Sequence, residues 1–250
     1  MKLVFLGTNG WYCTKTGNTV CAAFAAKDRM IVLDAGDGFQ KVPELAEKEK
    51  KKKIDVFLSH LHLDHTCGLH ALPKFGGGVR LRIFAAWEYM KDLEYLLDHP
   101  FTANLKQLKA KVELLPLKHG LNRLPYYLYA LPLVHADPCL GFRFELEGKA
   151  IAYCTDTGPC ENIPELGKEA DALITECSLP PRTRPLKHWP HLSPEIAARL
   201  AREARAKLLV LDHFDANNYR EIGGRRNAER AARGIFARTV AAKDGLVLSV

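Results

Sequence analysis

The feature that most constrains this 250-residue chain is a cluster of metal-binding side-chain types directly behind an apolar run. The run IDVFLS (54–59) leads into HLHLDH, which places His60, His62, Asp64 and His65 within six positions. A short apolar run rich in β-branched and aromatic residues is typical of a buried strand. Isolated histidines are common in surface loops, whereas four ligand types behind one strand are not. The stretch therefore predicts half of a metal site.

The spacing within this cluster indicates two metals. Residues i and i+2 point about 200° apart on a helix but share one face of an extended segment. His60 and His62 can therefore bind one metal only if they lie on a loop or strand. Asp64 and His65 follow where the chain turns into the next helix, and they face a second point. One loop is thus predicted to serve two neighbouring metals.

Each metal needs about four to six ligands, so further ligands have to come from remote parts of the chain. Three candidates each end an apolar run: His135 in ALPLVH, Asp156 in AIAYCTD and His213 in LLVLDH. Residues at strand ends project into one edge of a sheet layer, where a site can assemble. A lone histidine at a strand end is more often a satisfied core residue. The joint occurrence of the three favours a completed metal site.

The pattern along the whole chain predicts an α/β fold, since twelve β-rich runs alternate with six helix-like stretches. No internal repeat, linker or clean boundary divides it, so residues 1–250 are predicted to form one domain. In the best helix, 193–205, Ser193 is the predicted N-cap and Pro194 takes the first helical position.

Composition and charge bound the class of protein. Hydrophobic residues make up 47% and charged residues 26%, which is ordinary for a soluble protein, and no apolar run approaches the roughly 18 to 20 residues of a membrane span. Seven scattered cysteines without CxxC suit a reducing compartment. We therefore expect a cytoplasmic protein with no membrane partner. The net charge of +7 favours anionic substrates, although the basic runs 48–53 and 225–234 are also typical of solvated helix faces.

The motif SHLHLDH resembles the HxHxDH signature of the metallo-β-lactamase fold superfamily, and the later His, Asp and His come in that family's order. The resemblance covers essentially the whole chain, from FLGTNG to LDHF. It implies a four-layer αββα sandwich with two divalent metal ions, zinc first, with manganese and iron as alternatives. It also implies the ligand sets: His60, His62 and His135 for metal 1, Asp64, His65 and His213 for metal 2, and Asp156 bridging both.

Several stretches resemble the ribonuclease Z and phosphodiesterase branch of that family, namely FLGTNGWYCTKTGNTVCAAF, VLDAGDGFQ, AYCTDTGP and HLSPEIAARLAREARAKLLVLDHF. In that branch a histidine upstream of the last ligand assists phosphate chemistry and a glutamate orients it. The resemblance assigns these roles to His191 and Glu176, the alternative for His191 being a structural role at a helix amino terminus. Asp64 would orient the nucleophile as well as bind metal 2. Asp34 in LDAGDG would support a ligand histidine through a hydrogen bond.

Three departures from the branch bear on the substrate. Leu63 stands where the motif has a glycine, and KTGN (15–18) lacks the usual arginine-bearing loop. KFGGGVR (74–80) is only a short glycine loop, so nothing resembles the long arm that clasps tRNA. These departures favour a small anionic phosphodiester, such as a cyclic nucleotide or a nucleotide diester, over a nucleic acid.

The leading hypothesis is a binuclear metal-dependent phosphodiesterase in which a hydroxide shared by the metals attacks phosphorus. His191, if protonated, would stabilise the developing charge or protonate the leaving oxygen. The alternatives are an ester, lactone or thioester hydrolase, a ribonuclease Z-type RNA endonuclease, an iron redox enzyme of the same fold and a non-catalytic binding protein. A homodimer is also an open alternative, since WEYMKDLEYLL (87–97) has an apolar face that suits an interface or the core.

Overall fold

Two seven-stranded β-sheets form the centre of the structure, a computed structural model that describes residues 1–186 and 188–250. The elements of the first half are β1 (Lys2–Gly7), β2 (Asn9–Gly10), β3 (Cys21–Ala25), β4 (Met30–Leu33), α1 (Val42–Lys48), β5 (Lys53–Phe57), α2 (Leu63–Thr66), β6 (Arg80–Ala86), α3 (Met90–Leu96) and β7 (Lys111–Leu117). Those of the second half are β8 (Gly120–Arg123), β9 (Tyr127–Leu133), β10 (Cys139–Leu146), β11 (Lys149–Cys154), α4 (Asn162–Leu166), β12 (Ala172–Glu176), α5 (Pro194–Glu203), β13 (Leu209–Asp212), β14 (Phe214–Asp215), α6 (Ile222–Arg233), β15 (Thr239–Ala241) and β16 (Val247–Ser249).

Each large sheet combines a parallel and an antiparallel part. The first sheet has the order β16-β1-β3-β4-β5-β6-β7 and the second β15-β13-β12-β11-β10-β9-β8. Strands β4 to β7 are parallel to one another, as are β11, β12, β13 and β15, and the remaining pairs of both sheets are antiparallel. The short strands β2 and β14 pair in parallel, so the segment after β1 lies beside the segment after β13.

The space between the sheets is filled by a buried aromatic cluster. Phe57 of β5 stacks on Phe84 with ring centroids 4.6 Å apart, and it meets Phe144 of the other sheet edge-on at 4.9 Å. The alternate residues of β5, Ile54 and Val56, face the opposite side and pack in a second cluster with α1 and α3. Both faces of β5 are therefore buried, so apolar residues occur on both, and its one buried charge, Asp55, is paired with arginines.

The second sheet is covered in the same way by α4, α5 and α6. Its outer face packs in a third cluster with alanines of α5 and α6, including Ala197, Ala201, Ala228 and Ala232. The layers run helices, sheet, sheet, helices, so the predicted four-layer αββα sandwich is confirmed. None of the described helices is long and apolar enough to span a membrane, and all seven cysteines are free.

The predicted N-cap Ser193 and first helical residue Pro194 of α5 are confirmed, although the Ser193 side chain makes no capping hydrogen bond within the described part of the chain. Two other local predictions are wrong. The run 206–214 forms two strands because the chain turns at His213, where φ is +44°. Arg225, in a basic run predicted to be a solvated helix face, is only 1% exposed.

Candidate metal centre

The candidate metal centre lies at the edge of the sandwich where strands of both sheets end. β5 leads into the loop that carries the cluster 60–65, in which α2 is a single helical turn. β9 ends just before His135, β11 before Asp156 and β13 before His213. Because β9, β11 and β13 run in the same direction in the second sheet, their carboxyl ends share this edge.

The structure brings all seven predicted ligands together and divides them into two overlapping sets. In each set the potential ligand atoms lie within 4.8 Å of one another. Asp156 belongs to both sets, as the resemblance implies, and the binding of metal by these side chains stays a prediction. The sets are His60, His62, His135 and Asp156, and Asp64, His65, Asp156 and His213.

Asp34, just after β4, fixes the hydrogen positions on two of these histidines. Its Oδ2 accepts from His65 Nδ1 at 2.8 Å and from the Ser59 hydroxyl at 2.9 Å. The Ser59 oxygen accepts in turn from His60 Nδ1 at 3.1 Å, and the Tyr153 hydroxyl also donates to Asp34. This hydrogen-bond pattern assigns the proton of each ring to Nδ1 and leaves a lone pair on Nε2. The predicted supporting hydrogen bond, which a ligand histidine donates to Asp34, is confirmed.

The freed lone pairs converge on one carboxylate oxygen. His60 Nε2 and His65 Nε2 lie 3.3 and 3.2 Å from Asp156 Oδ2, and His65 Nε2 lies 3.1 Å from His213 Nε2. Within the described part of the chain, His60 Nε2 and Asp156 Oδ1 are buried without a hydrogen-bond partner. Buried acceptors that face one another are unfavourable unless a cation lies between them. This mixed imidazole and carboxylate set therefore fits divalent metals such as zinc, manganese or iron.

Electrostatics favour metal-binding protonation states at His60, Asp64 and Asp156. At His65 and His213 burial disfavours the cation, but the neighbouring carboxylates outweigh burial and raise the pKa of both, so these two rings must lose a proton to bind a metal. Burial and the neighbouring His65 lower the pKa of His60 to about 4, so its ring is neutral near pH 7. Burial disfavours the carboxylate of Asp64, but His65 and His213 outweigh it and lower the pKa of Asp64. Burial is likewise outweighed at Asp156, where His213 and His60 hold the pKa well below its usual range. Both carboxylates are therefore ionised at neutral pH.

A third group adjoins the two sets through Asp156. His191 Nδ1 donates to Glu176 Oε1 at 2.6 Å and lies 3.6 Å from Asp156 Oδ1. Glu176 also accepts from the backbone N–H groups of Thr157 and Ser178, each at 2.9 Å, so both of its oxygens are held. Burial disfavours the His191 cation, but the charge and hydrogen bond of Glu176 raise the pKa of His191. The predicted pairing is present, and its catalytic role stays a prediction.

The segment after β1 contributes two contacts that sequence reasoning missed. Gly10 lies flat against His213, and a Cβ at this position would be 2.4 Å from the ring Cε1. The backbone N–H of Trp11 donates to Asp64 Oδ2 at 2.7 Å. Gly10, the second glycine of FLGTNG, could have been read as a sign of close packing, but nothing in the sequence shows that the residue packed against it is His213.

Arg225 of α6 holds the segment after β1 in place through hydrogen bonds. Its guanidinium donates to Thr8 Oγ1 at 2.6 Å, to Asn9 Oδ1 and to the Ala242 carbonyl at 3.1 Å. A buried arginine with several acceptors is costly to remove because those acceptors lose their donor. Nothing in the sequence distinguishes Arg225 from the solvated cations around it.

Of the nine described non-glycine residues with a positive φ, four lie at the same edge. The φ angle is +71° at Trp11, +55° at Asp34, +53° at Asp156 and +44° at His213. Such conformations are unfavourable for residues other than glycine and persist only where the surroundings hold them. The fold therefore maintains unfavourable backbone at four residues of the candidate centre.

Comparisons with known proteins agree on the family. Residues 29–214 match the family model described as a β-lactamase superfamily domain. The chain is 25% identical over 309 aligned positions to the ribonuclease Z of Methanosarcina mazei, covering 100% of this chain and 98% of that protein.

Two solved structures share the fold. The metallo-β-lactamase fold protein YhfI from Bacillus subtilis matches with a TM-score of 0.79 at 21% identity, covering 99% of this chain and 98% of that one. A diphosphatase from the PhnP family matches with a TM-score of 0.73 at 20% identity, covering 100% and 97%. With the family model spanning most of the chain and the His/Asp cluster in place, this chain belongs to the metallo-β-lactamase superfamily and is a metal-dependent hydrolase.

Proposed function

We propose that the protein is a binuclear metal-dependent phosphodiesterase that acts on a small phosphodiester, with nucleotide diesters as the leading candidates. The observation that carries the proposal is the buried His191–Glu176 pair, 2.6 Å between Nδ1 and Oε1, beside Asp156. Phosphodiester cleavage spreads negative charge over the phosphoryl oxygens and expels an alkoxide that needs a proton. An imidazole that a carboxylate keeps cationic can stabilise the charge on the phosphoryl oxygens and donate a proton to the leaving oxygen.

The residues would divide the work as follows. Two divalent cations, held by the two sets that share Asp156, would supply an acidified water and charge withdrawal from phosphate oxygens. Asp64, fixed by the N–H of Trp11, would orient the nucleophile. His191 lines the cavity above the cluster. It would release a proton to the leaving oxygen while Glu176 retains the proton on Nδ1.

The length of the chain supports a small substrate. The alignment with the Methanosarcina ribonuclease Z has 309 positions against 250 residues here, so about 59 positions have no counterpart in this chain. The PhnP-family diphosphatase matches over 100% of this chain and 97% of its own. An RNA endonuclease is the second candidate, favoured by the ribonuclease Z relatives.

The test is a substrate panel on protein loaded with zinc or manganese. We expect cleavage of bis-p-nitrophenyl phosphate to exceed hydrolysis of lactones and thioesters. His191→Ala should lower kcat for the diester by on the order of 10²-fold or more with metal content unchanged. His119→Ala, at an exposed histidine outside all three groups, is the matched control and should have no effect.

Three results would count against the proposal. One is the lack of diester cleavage with either metal, and another is loss of metal in the His191 variant. Faster cleavage of a structured RNA than of any small diester would favour the second candidate instead.

A further inference from the structure

Two indole rings lie over the mouth of the candidate metal centre. Trp11 and Trp189 stack with ring centroids 5.5 Å apart and planes inclined by 6°. Both line the cavity that Asp64, Asp156 and His213 also line. This cavity has a volume of about 30 Å³. The two indoles therefore border the space in which a phosphodiester would meet the metal ligands.

Neither indole serves to fill the core. Trp11 is 50% and Trp189 38% exposed, and neither belongs to the three buried clusters of the fold. Tryptophan is enriched at binding interfaces, and these two exposed indoles adjoin each other beside the candidate centre. Trp11 moreover has a φ of +71°, unfavourable for a bulky residue, and its N–H bond to Asp64 holds it there. The backbone is thus strained at the residue that places an indole over the centre.

Trp189 contacts His191, the proposed proton donor. Its ring meets the imidazole of His191 edge-on, with centroids 5.3 Å apart and planes at 63°. The next residue, Pro190, packs against Gly158, where even a methyl group would lie 2.6 Å from the proline Cβ. A group that replaces Trp11 against this indole would therefore adjoin the leaving oxygen that His191 protonates.

We propose that Trp11 and Trp189 form an aromatic binding site for a flat ring of the substrate, the base of a nucleotide, beside the scissile phosphodiester. The base enters between the indoles, or displaces one of them, and exchanges an indole–indole stack for an indole–base stack. This exchange keeps the apolar faces covered, and every nucleobase has a face that can stack. The inference deepens the proposed function and rests on it for the phosphate, whereas the stacking can be measured without catalysis.

The tryptophans themselves report on the test. The chain has three, and Trp87→Phe, at a position 60% exposed, leaves the indoles of Trp11 and Trp189 as the only ones. Metal-loaded Trp87→Phe protein is titrated with AMP and with ribose 5-phosphate, which carries the same phosphate without a base. We expect AMP to quench the fluorescence and to bind on the order of tenfold more tightly than ribose 5-phosphate, measured by calorimetry.

Variants of Trp11 and Trp189 distinguish a loss of base stacking from a loss of folding. In the same background, Trp11→Leu and Trp189→Leu should lower the AMP affinity toward that of ribose 5-phosphate and leave the latter unchanged. Trp11→Tyr and Trp189→Tyr, which keep an aromatic ring, should retain part of the preference. A general loss of folding would instead reduce the affinity for both ligands alike in every variant.

Equal affinities for the two ligands, or an AMP affinity unchanged in both leucine variants, would overturn the inference. Tighter binding of AMP by a protein without phosphodiesterase activity would uphold the inference and reject the proposed function. Diester cleavage with equal affinities for the two ligands would reject the inference alone.

Discussion

Replacing Gly10 with alanine tests whether close backbone packing sets the position of His213. The added methyl group would lie 2.4 Å from Cε1, 2.8 Å from Nδ1 and 2.9 Å from Nε2 of the ring. Ordinary contacts between such atoms are about 3.5 to 4.0 Å, so the atoms must separate by about 1 Å. The backbone at Gly10 is held by its pairing with Asp215, so we expect the ring of His213 to move.

The size of this movement sets the expected effect. Disturbing the support of a metal ligand costs about 10- to 100-fold in metal affinity. A misplacement of about 1 Å near reacting groups costs on the order of 10²-fold in rate. Gly10→Ala should therefore weaken the metal held by Asp64, His65, Asp156 and His213 by about 10- to 100-fold. The other set does not contain His213 and should keep its metal.

Chelator competition with elemental analysis measures this difference. The metal content of Gly10→Ala protein should fall from about two toward one per chain at intermediate chelator concentrations, with kcat lower by on the order of 10²-fold. Gly76→Ala is the matched control, because a Cβ there would have no heavy atom of the described residues within 4 Å. Two tightly held metals and full turnover in Gly10→Ala would refute the view that this glycine positions the histidine.

Three further predictions follow from contacts around the centre. Asp34→Asn should weaken metal binding about 10- to 100-fold in chelator competition, because a neutral amide holds the Nδ1–H of His65 less well. Glu176→Gln should lower kcat and move the basic limb of the kcat–pH profile to lower pH, because without the carboxylate the pKa of His191 falls and the cation is lost earlier as pH rises. Arg225→Lys should destabilise the metal-loaded protein by about 1 to 3 kcal/mol in urea unfolding, because one ammonium cannot reach all the acceptors of the guanidinium.

Each of these variants has its own control. Asp37→Asn, in the same LDAGDG segment but outside the groups around the centre, should bind metal normally, and equal losses in both variants would contradict the role of Asp34. For Glu176→Gln, an unchanged pH profile at full metal content would show that the carboxylate does not tune the histidine. Arg226→Lys exchanges the exposed neighbour and should leave the urea midpoint unchanged. An equally small effect at Arg225 would mean that its hydrogen bonds contribute little to stability.

The α/β class could be predicted because its determinants are local, whereas the four-layer sandwich followed from the family resemblance. The apolar residues of β5 lie on both of its buried faces, and ligand types stand directly behind the strand. The same coincidence of an apolar run and a terminal ligand type recurs at His135, Asp156 and His213. Strand direction then determines the edge at which these side chains emerge, so the sequence alone indicates the members of the cluster.

Apart from the hydrogen bond between Asp34 and a ligand histidine, the support of the cluster could not be predicted, because it consists of contacts between distant positions. Asp34 accepts from Tyr153, 119 positions away, and Arg225 reaches back 217 positions to Thr8. An aspartate or an arginine in such a segment is more often solvated, and nothing local reveals its partner.

By itself, the sequence determined which side chains form the cluster, because strand burial and strand ends are properties of short segments. Only the tertiary structure decided how those side chains are held. The packing of the sheets selects the acceptor of each imidazole, seats Gly10 against His213 and stacks Trp11 on Trp189. These contacts depend on elements far apart in the chain, whose meeting follows from the packing of the whole sandwich and not from any one stretch of sequence.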